Sequence, residues 1–208
     1  MSDLRILIVE DEPLIAADIA ASIEEMDFVP TGIAYSVDTA IEELKNNTPD
    51  IVILDIQLNK GQEGLAIAQL INEKYGLPFI YLTSFSDKKT IQDAKTTEPY
   101  GYVVKPFNEA SLYAAIEIAL YNHTQKNKSK FPELLLDKIN KQLTDPFTDR
   151  EFEVLQLIYN GNTNNQIAEK LFISINTVKK RINAAYLKMD TGSRTAALAK
   201  LRGYMLTQ

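Results

Sequence analysis

The sequence contains no cysteine and only one histidine, His123. A chain without cysteine forms no disulfide scaffold and has no thiol nucleophile. It also lacks the Cys and His ligands from which the usual four-ligand zinc sites are built. Because His123 lies in the polar stretch 122–126, we expect a solvated linker histidine rather than a member of a serine hydrolase triad. Any chemistry in this chain must therefore depend on carboxylates.

Long apolar runs are also missing, since no segment approaches the roughly 18 residues that a membrane span needs. The N-terminus passes directly into a strand-like run and lacks the features of a signal peptide. The absence of cysteine is compatible with a reducing compartment. We therefore expect a cytoplasmic protein with no membrane partner.

Charge is distributed unevenly along the chain. Counting Lys, Arg, Asp and Glu, residues 1–121 carry −12 and residues 122–208 carry +6, within a net charge of −6. Two domains with different partners are indicated, and the basic one is suited to a polyanion. The other interpretation is that such differences between halves are common, so charge alone leaves nucleic-acid binding open.

The acidic half alternates between buried strands and amphipathic helices. The predicted strands are 4–9, 28–35, 51–54, 79–82 and 100–104, and the predicted helices are 13–26, 36–46, 64–75, 87–95 and 108–121. Strict alternation predicts an α/β fold, with a doubly wound parallel sheet covered by helices on both faces. In such sheets the functional site lies at the carboxyl ends of the strands.

The basic half is predicted to be all-α after a polar linker at 122–130. A short amphipathic helix is expected over 131–143, with Leu134, Leu135, Ile139 and Leu143 on one face. Further helices are predicted over 148–159, 163–171 and 174–189, and after Ser193. Thr163 followed by Gln166 has the spacing of a capping box.

Charged side chains stand where the predicted strands of the acidic half end. Glu10, Asp11 and Glu12 follow the first strand, Asp55 the third, Thr83 the fourth and Lys105 the fifth. Clustered carboxylates need a counter-charge, and Mg²⁺ typically uses one or two carboxylates with phosphate oxygens. Asp55 can act as a nucleophile on phosphorus, with Lys105 offsetting the added charge. Each residue alone would be unremarkable in a loop, but their conjunction at one sheet edge indicates function.

These motifs resemble the receiver domain of two-component response regulators across residues 4–121. The resemblance is carried by LIVEDEP at 7–13, ILDIQL at 53–58, YLTS at 81–84 and GYVVKPF at 101–107. It implies the flavodoxin-like sheet order. It also implies that Asp55 is the phosphoacceptor.

The resemblance assigns roles to the neighbours of Asp55 as well. Glu10 and Asp11 are implied to bind Mg²⁺ together with Asp55 and the backbone carbonyl of Gln57. Thr83 and Lys105 are implied to contact the phosphoryl group, Tyr102 to be the switching aromatic, and the Lys105–Pro106 bond to be cis. Many members have aspartate where this chain has Glu10. Both are carboxylates, so metal binding is expected to survive.

Residues 147–206 resemble the LuxR-type helix-turn-helix of NarL- and FixJ-like regulators. The motifs are FTDREFEVL at 147–155, NQIA at 165–168 and SINTVK at 174–179, with Lys188-Met189 and Ser193-Arg194. The chain departs from the pattern at 184–187 and 190–192, so dimer contacts and base readout stay open. By resemblance, the DNA contacts are expected at Asn176, Thr177, Lys179, Lys180 and Arg181.

The sequence thus predicts a receiver domain at 1–121, a linker at 122–146 and a helix-turn-helix domain at 147–208. We expect a regulator, not an enzyme, whose phosphorylation at Asp55 by a sensor histidine kinase controls binding to double-stranded DNA. A homodimer is expected in the active state. The alternatives are a phosphorelay or protein-interaction module that does not bind DNA, and a phosphatase that uses Asp55 on an external substrate.

Overall fold

A computed structural model describes residues 3–59, 61–84, 88–127 and 132–206. The described chain divides into two compact units. One comprises residues 5–120, and the other comprises residues 121–206 with residues 3 and 4. Each unit has its own hydrophobic core. In the described ranges no helix has the length and apolarity that crossing a membrane requires.

In the described part of the first unit, five strands form one sheet in the order β2-β1-β3-β4-β5, and every neighbouring pair is parallel. The strands are β1 Arg5–Val9, β2 Val29–Ala34, β3 Ile51–Leu54, β4 Phe79–Thr83 and β5 Gly101–Val104. β1, β3 and β4 are almost wholly buried and apolar, as expected for strands covered on both faces. The predicted doubly wound α/β fold is confirmed.

Helices follow the strands in alternation. They are α1 Pro13–Glu25, α2 Val37–Asn46, α3 Glu63–Leu70, α4 Lys88–Lys95 and α5 Glu109–Asn127. Ser36 caps α2 in a capping box with Thr39. After α3 the chain widens into one π-helical turn, Ile71–Tyr75, which ends at Gly76 in the left-handed conformation at φ 61°. Asp87, the predicted first residue of α4, lies outside the described residues.

The fifth helix does not end at residue 121 as predicted. It continues to Asn127, so the first part of the expected linker is helical. The residues from 122 to 127 are polar but contain no glycine or proline, and polarity alone does not stop a helix. The rest of the linker prediction, residues 128–130, lies outside the described residues.

The second unit is helical throughout its described elements. These are α6 Leu136–Asn140, α7 Asp149–Tyr159, α8 Asn164–Leu171, α9 Ile175–Lys188 and α10 Arg194–Leu206. Thr148 and Thr163 cap α7 and α8 in capping boxes with Glu151 and Gln166, and Ser174 accepts a hydrogen bond from the Thr177 amide at α9. The predicted box at Thr163 is confirmed.

The predicted amphipathic helix at 131–143 is too long. Phe131 lies outside the described residues, and the observed helix is α6 alone. Leu134, Ile139 and Leu143 contact the core of the second unit, but Leu135 is 55% exposed. Leu135 precedes the helix in an extended conformation, so the helical spacing that placed it with the others does not apply.

Candidate functional site

The parallel register brings the ends of four strands to one edge of the sheet. Val9 pairs with Leu54, the last residue of β3, and the following residue, Asp55, donates its backbone N–H to the Val9 carbonyl at 2.9 Å. On the other side, the backbone N–H of Lys105 donates to the Thr83 carbonyl at 3.0 Å. The predicted gathering of these residues is therefore observed.

Lys105 joins two carboxylates at this edge. Its Nζ lies 2.5 Å from Oε2 of Glu10 and 2.6 Å from Oδ2 of Asp55. All three side chains are at most 9% exposed. In this buried position the Lys105 ammonium supplies the counter-charge that the neighbouring carboxylates of Glu10 and Asp55 require.

Burial and pairing shift the protonation of this cluster. Burial raises the pKa of Glu10 above its usual 4.5, and the hydrogen bond from Lys105 offsets only part of that effect. Burial alone would lower the pKa of Lys105. The hydrogen bonds to Asp55 and Glu10 outweigh it, so the pKa of Lys105 rises above 10.5. The lysine is therefore held as a cation beside Asp55.

The loop after β3 positions the other atoms of the predicted metal site. Oδ1 of Asp55 accepts a hydrogen bond from the Gln57 amide at 3.0 Å, and Oδ2 of Asp11 accepts one from the Asn59 amide at 2.9 Å. Asp11 therefore lies against the loop that follows Asp55. Among the described residues, no three or more Asp, Glu or His side chains form a group able to hold a metal.

Gly64 was missed by sequence reasoning but shapes the loop that carries Asp55. Its amide donates to the Ile56 carbonyl at 3.0 Å, and a Cβ placed there would lie 2.0 Å from the Asp55 carbonyl oxygen. Only a residue without a side chain permits this approach between α3 and the phosphoacceptor loop. A lone glycine in a sequence carries little information, and no pattern could have singled it out.

The two predicted switch residues occupy β4 and β5. Thr83 is fully buried at the end of β4. Tyr102 is half-buried, and its ring centroid lies 6.2 Å from that of Tyr81 in an edge-on arrangement. Burial raises the pKa of Tyr81 to about 12, and the Tyr81 hydroxyl lies 2.8 Å from Oγ1 of Thr97. The Lys105–Pro106 peptide bond is cis, as the resemblance implied.

In the second unit, the predicted DNA-contacting residues lie in the first half of α9. Asn176 and Lys180 are exposed, and Lys179 and Arg181 are partly exposed. The Oγ1 of Thr177 lies 2.9 Å from Oγ of Ser174, so this side chain also takes part in the helix cap. The opposite face of the helix is buried, with Val178, Ile182 and Ala185 in the core.

Two polar contacts, one partly and one fully buried, fix the position of α9 and its neighbours, and the motifs that contain Lys188 and Arg194 did not reveal them. Lys188, at the end of α9, lies 2.9 Å from Oε2 of Glu151 in α7. Burial tends to raise the pKa of Glu151, but Lys188 and Thr148 outweigh it and lower the pKa. Arg194 is 4% exposed and donates to the Asn162 carbonyl at 2.6 Å, which joins the start of α10 to the loop before α8.

Comparisons with known proteins agree with this architecture. The family model of the response regulator receiver domain matches residues 6–117, and that of the bacterial regulatory proteins of the luxR family matches residues 145–201. The transcriptional regulatory protein LiaR of Bacillus subtilis is 29% identical over 201 residues, covering 93% of this chain and 94% of that protein.

One further relative spans most of the chain, and one solved structure corresponds to the first unit. A putative transcriptional regulator of Pseudomonas aeruginosa is 30% identical over 196 residues, covering 91% of this chain and 92% of that protein. The crystal structure of the receiver domain of a modulated diguanylate cyclase from Desulfovibrio desulfuricans is 32% identical, with a TM-score of 0.56. The match covers 60% of this chain and 99% of that one. The chain belongs to the response-regulator family, and it is a two-component transcription regulator that joins a receiver domain to a luxR-type DNA-binding domain.

Proposed function

We propose that this regulator is switched by phosphorylation of Asp55, and that the switch controls its sequence-specific binding to DNA. The supporting observation is the buried triad of Lys105 with Glu10 and Asp55, with distances of 2.5 and 2.6 Å from one ammonium. A lysine held as a cation at the phosphoacceptor offsets the negative charge that a phosphoryl group adds.

A carboxylate oxygen of Asp55 is the nucleophile. It forms a bond to phosphorus while the bond between phosphorus and the donor's leaving atom breaks, and the electron pair of that bond stays with the donor. The Gln57 amide, 3.0 Å from Oδ1, fixes the orientation of the carboxylate before attack. After transfer, Lys105 can pair with the phosphoryl oxygens in place of the Asp55 carboxylate.

Mg²⁺ fits the donor set at this edge. Glu10, Asp11 and Asp55 offer carboxylate oxygens and Gln57 a backbone carbonyl, and Mg²⁺ commonly uses one or two carboxylates with waters and phosphate oxygens. Within the described residues these three carboxylates do not already form a metal-holding group, so the proposed site would draw on one or two of them. When bound, the ion would offset the charge on the phosphoryl oxygens and align the donor.

The conformational response is proposed to involve Thr83 and Tyr102. Thr83 lies at the end of β4, one strand away from Asp55, and its hydroxyl can donate to a phosphoryl oxygen. Movement of Thr83 would leave space that the half-buried ring of Tyr102 can enter, changing the surface of β5. Phosphorylation then acts as a population shift between two states.

DNA is proposed to be contacted through α9. In helix-turn-helix proteins the second helix enters the major groove, where lysine and arginine reach phosphates and guanine edges. Asn176 and Lys180 are exposed on α9, and Thr177, Lys179 and Arg181 complete the predicted set. A sensor histidine kinase is the proposed phosphodonor, a homodimer the active form, and the cytoplasm, where bacterial DNA lies, the site of action.

Labelling by a small phosphodonor with Mg²⁺ tests the proposal. The wild-type chain is expected to take up one phosphoryl group, and Asp55→Asn none, because the amide is not a nucleophile toward phosphorus. Asp38→Asn, at an exposed carboxylate on α2, is the matched control and should label normally. Persistent labelling of Asp55→Asn would refute the assignment, and repeated turnover of the donor beyond one equivalent would favour a phosphatase.

A further inference from the structure

Phe172 stands in the turn between α8 and α9 with an unusual backbone conformation. Its φ of 53° and ψ of 43° lie in the left-handed region, which bulky L residues rarely adopt. The turn depends on this conformation, because the Phe172 amide donates to the Glu169 carbonyl and the Ile173 amide to the Ala168 carbonyl. Glycine or asparagine would close the helix there with less strain.

Folding does not bury the aromatic ring, so no burial offsets the strain of the backbone. Phe172 is 95% exposed, whereas the next residue, Ile173, packs against the core of the second unit. The position therefore combines a strained backbone with a fully solvated aromatic ring. Residues that break a local rule without a structural gain are expected at functional sites.

The turn leads directly into the DNA-facing end of α9. Ser174 caps that helix, and the exposed residues Asn176 and Lys180 follow within two turns. In helix-turn-helix proteins the N-terminal residues of the second helix contact base edges in the major groove. The apolar group that the major groove presents is the 5-methyl of thymine, which phenylalanine can contact.

We propose that Phe172 contacts a thymine methyl at the edge of the DNA half-site and so helps determine sequence specificity. The inference rests on the proposed placement of α9 in the major groove. It adds an apolar contact to the set of polar residues on α9, at a position that neither resemblance assigned. The choice of phenylalanine at this left-handed position, where glycine or asparagine would be less strained, is then explained by recognition of DNA.

Replacement of thymine by deoxyuridine tests this contact, because deoxyuridine lacks only the 5-methyl group. A duplex is selected from random-sequence DNA with the wild-type chain, and each thymine is then replaced in turn. Wild type is expected to lose affinity roughly five- to twentyfold at one position in each half-site. Phe172→Asn should bind the selected duplex, with every thymine in place, more weakly by the same factor. Its affinity should not change when the thymine at that position is replaced by deoxyuridine.

Two controls separate the contact from a general loss of binding. Leu187→Asn removes another side chain that is 80% exposed, near the far end of α9, and should bind like wild type. The salt dependence of Phe172→Asn should equal that of wild type, because no phosphate contact is lost. Asparagine tolerates the left-handed turn, so thermal stability should not fall; if it does, Phe172→Gly replaces it in the same titrations.

The outcomes distinguish this inference from the proposed function. If Phe172→Asn binds within about twofold of wild type, or if both proteins respond equally to every deoxyuridine, the inference is wrong and the role of α9 stands. If wild type selects no duplex, the DNA-binding role of α9 fails, and this inference fails with it.

Discussion

The Nζ atom of Lys105 lies 2.6 Å from Oδ2 of Asp55, across a sequence separation of 50 residues. Asp55 follows β3 and Lys105 follows β5, and only β4 separates these two strands in the sheet. The two side chains therefore meet at one edge. The same ammonium lies 2.5 Å from Glu10 after β1. One cation therefore joins three strand ends at the centre of the proposed switch.

Removal of this cation should destabilise the receiver domain. Lys105→Met leaves two buried carboxylates without a counter-charge, so we expect the free energy of unfolding to fall by about 2 to 4 kcal/mol at pH 7. Added Mg²⁺ should restore more stability to this variant than to wild type. Denaturant unfolding followed by circular dichroism measures both effects. Lys95→Met, at an exposed lysine on α4, is the control, and equal stability of the two variants would contradict the account.

The pH dependence of the Lys105→Met defect follows from the shifted pKa values. The pKa of Lys105 is raised in the folded state, so its contribution is complete below 10.5 and is lost as pH rises through the folded value. At the acid end, protonation of Glu10, whose pKa is raised by burial, removes one of the buried charges. The difference between wild type and Lys105→Met should therefore shrink on acidification. A difference that grows instead would argue against the pairing.

Substitution of Gly64 should disturb the phosphoacceptor loop. In Gly64→Ala the new Cβ would meet the Asp55 carbonyl oxygen, so we expect a loss of about 1 to 3 kcal/mol and slower labelling of Asp55. Gly203→Ala, on α10 with nothing within 4 Å of its Cβ position, should instead gain up to about 1 kcal/mol. Thermal unfolding of both variants checks the contrast, and unchanged stability and labelling in Gly64→Ala would refute it.

The Glu151–Lys188 pair should stabilise the DNA-binding domain at pH values above those at which carboxyl groups titrate. Its pairing lowers the pKa of Glu151, so the stabilisation is present above 4.5 and disappears as pH falls through the folded value. Glu151→Gln keeps an N3 side chain that can cap the helix but removes the charge, and should cost about 1 kcal/mol at pH 7. Glu153→Gln removes an exposed carboxylate paired with Arg150 and should cost less than about 0.5 kcal/mol. A defect of Glu151→Gln that persists unchanged at low pH would show that charge is not its cause.

Lys180 should contribute to DNA affinity through phosphate. Lys180→Met is expected to weaken binding to specific and random duplexes alike, and to reduce the slope of log affinity against log salt by about 1. Lys141→Met changes an exposed lysine after α6 in the same domain and should leave the slope unchanged. Fluorescence anisotropy titrations at several salt concentrations measure the slopes. The same slope for Lys180→Met and wild type would exclude a phosphate contact.

Much of the receiver fold could be predicted because its strands are short, apolar runs that alternate with amphipathic helices. In the second unit, Thr163 occupies the capping position that its sequence pattern predicts. The juxtaposition of Glu10, Asp55 and Lys105 followed from parallel strands alone, since their carboxyl ends share one edge. What the sequence does not contain is the distance between side chains, or which carboxylates the lysine pairs with.

Other features depend on tertiary packing and left no signal in the sequence. The continuation of α5 to Asn127 was missed because a polar segment can be linker or helix, and its neighbours decide. Leu135 was predicted to share an apolar helix face with its neighbours, but it lies outside the helix and is exposed. Gly64 and Arg194 matter through a close approach and a buried hydrogen bond, and both require the folded chain to be seen.

Phosphorylation of Asp55 is proposed to control the affinity of α9 for DNA. The most direct test of this proposal is a titration of the selected duplex with the full chain, with and without beryllofluoride and Mg²⁺ as a phosphoryl mimic. We expect the mimic to tighten specific binding by about tenfold or more in wild type and to have no effect on Asp55→Asn. Equal affinity of wild type in both conditions would contradict the proposal.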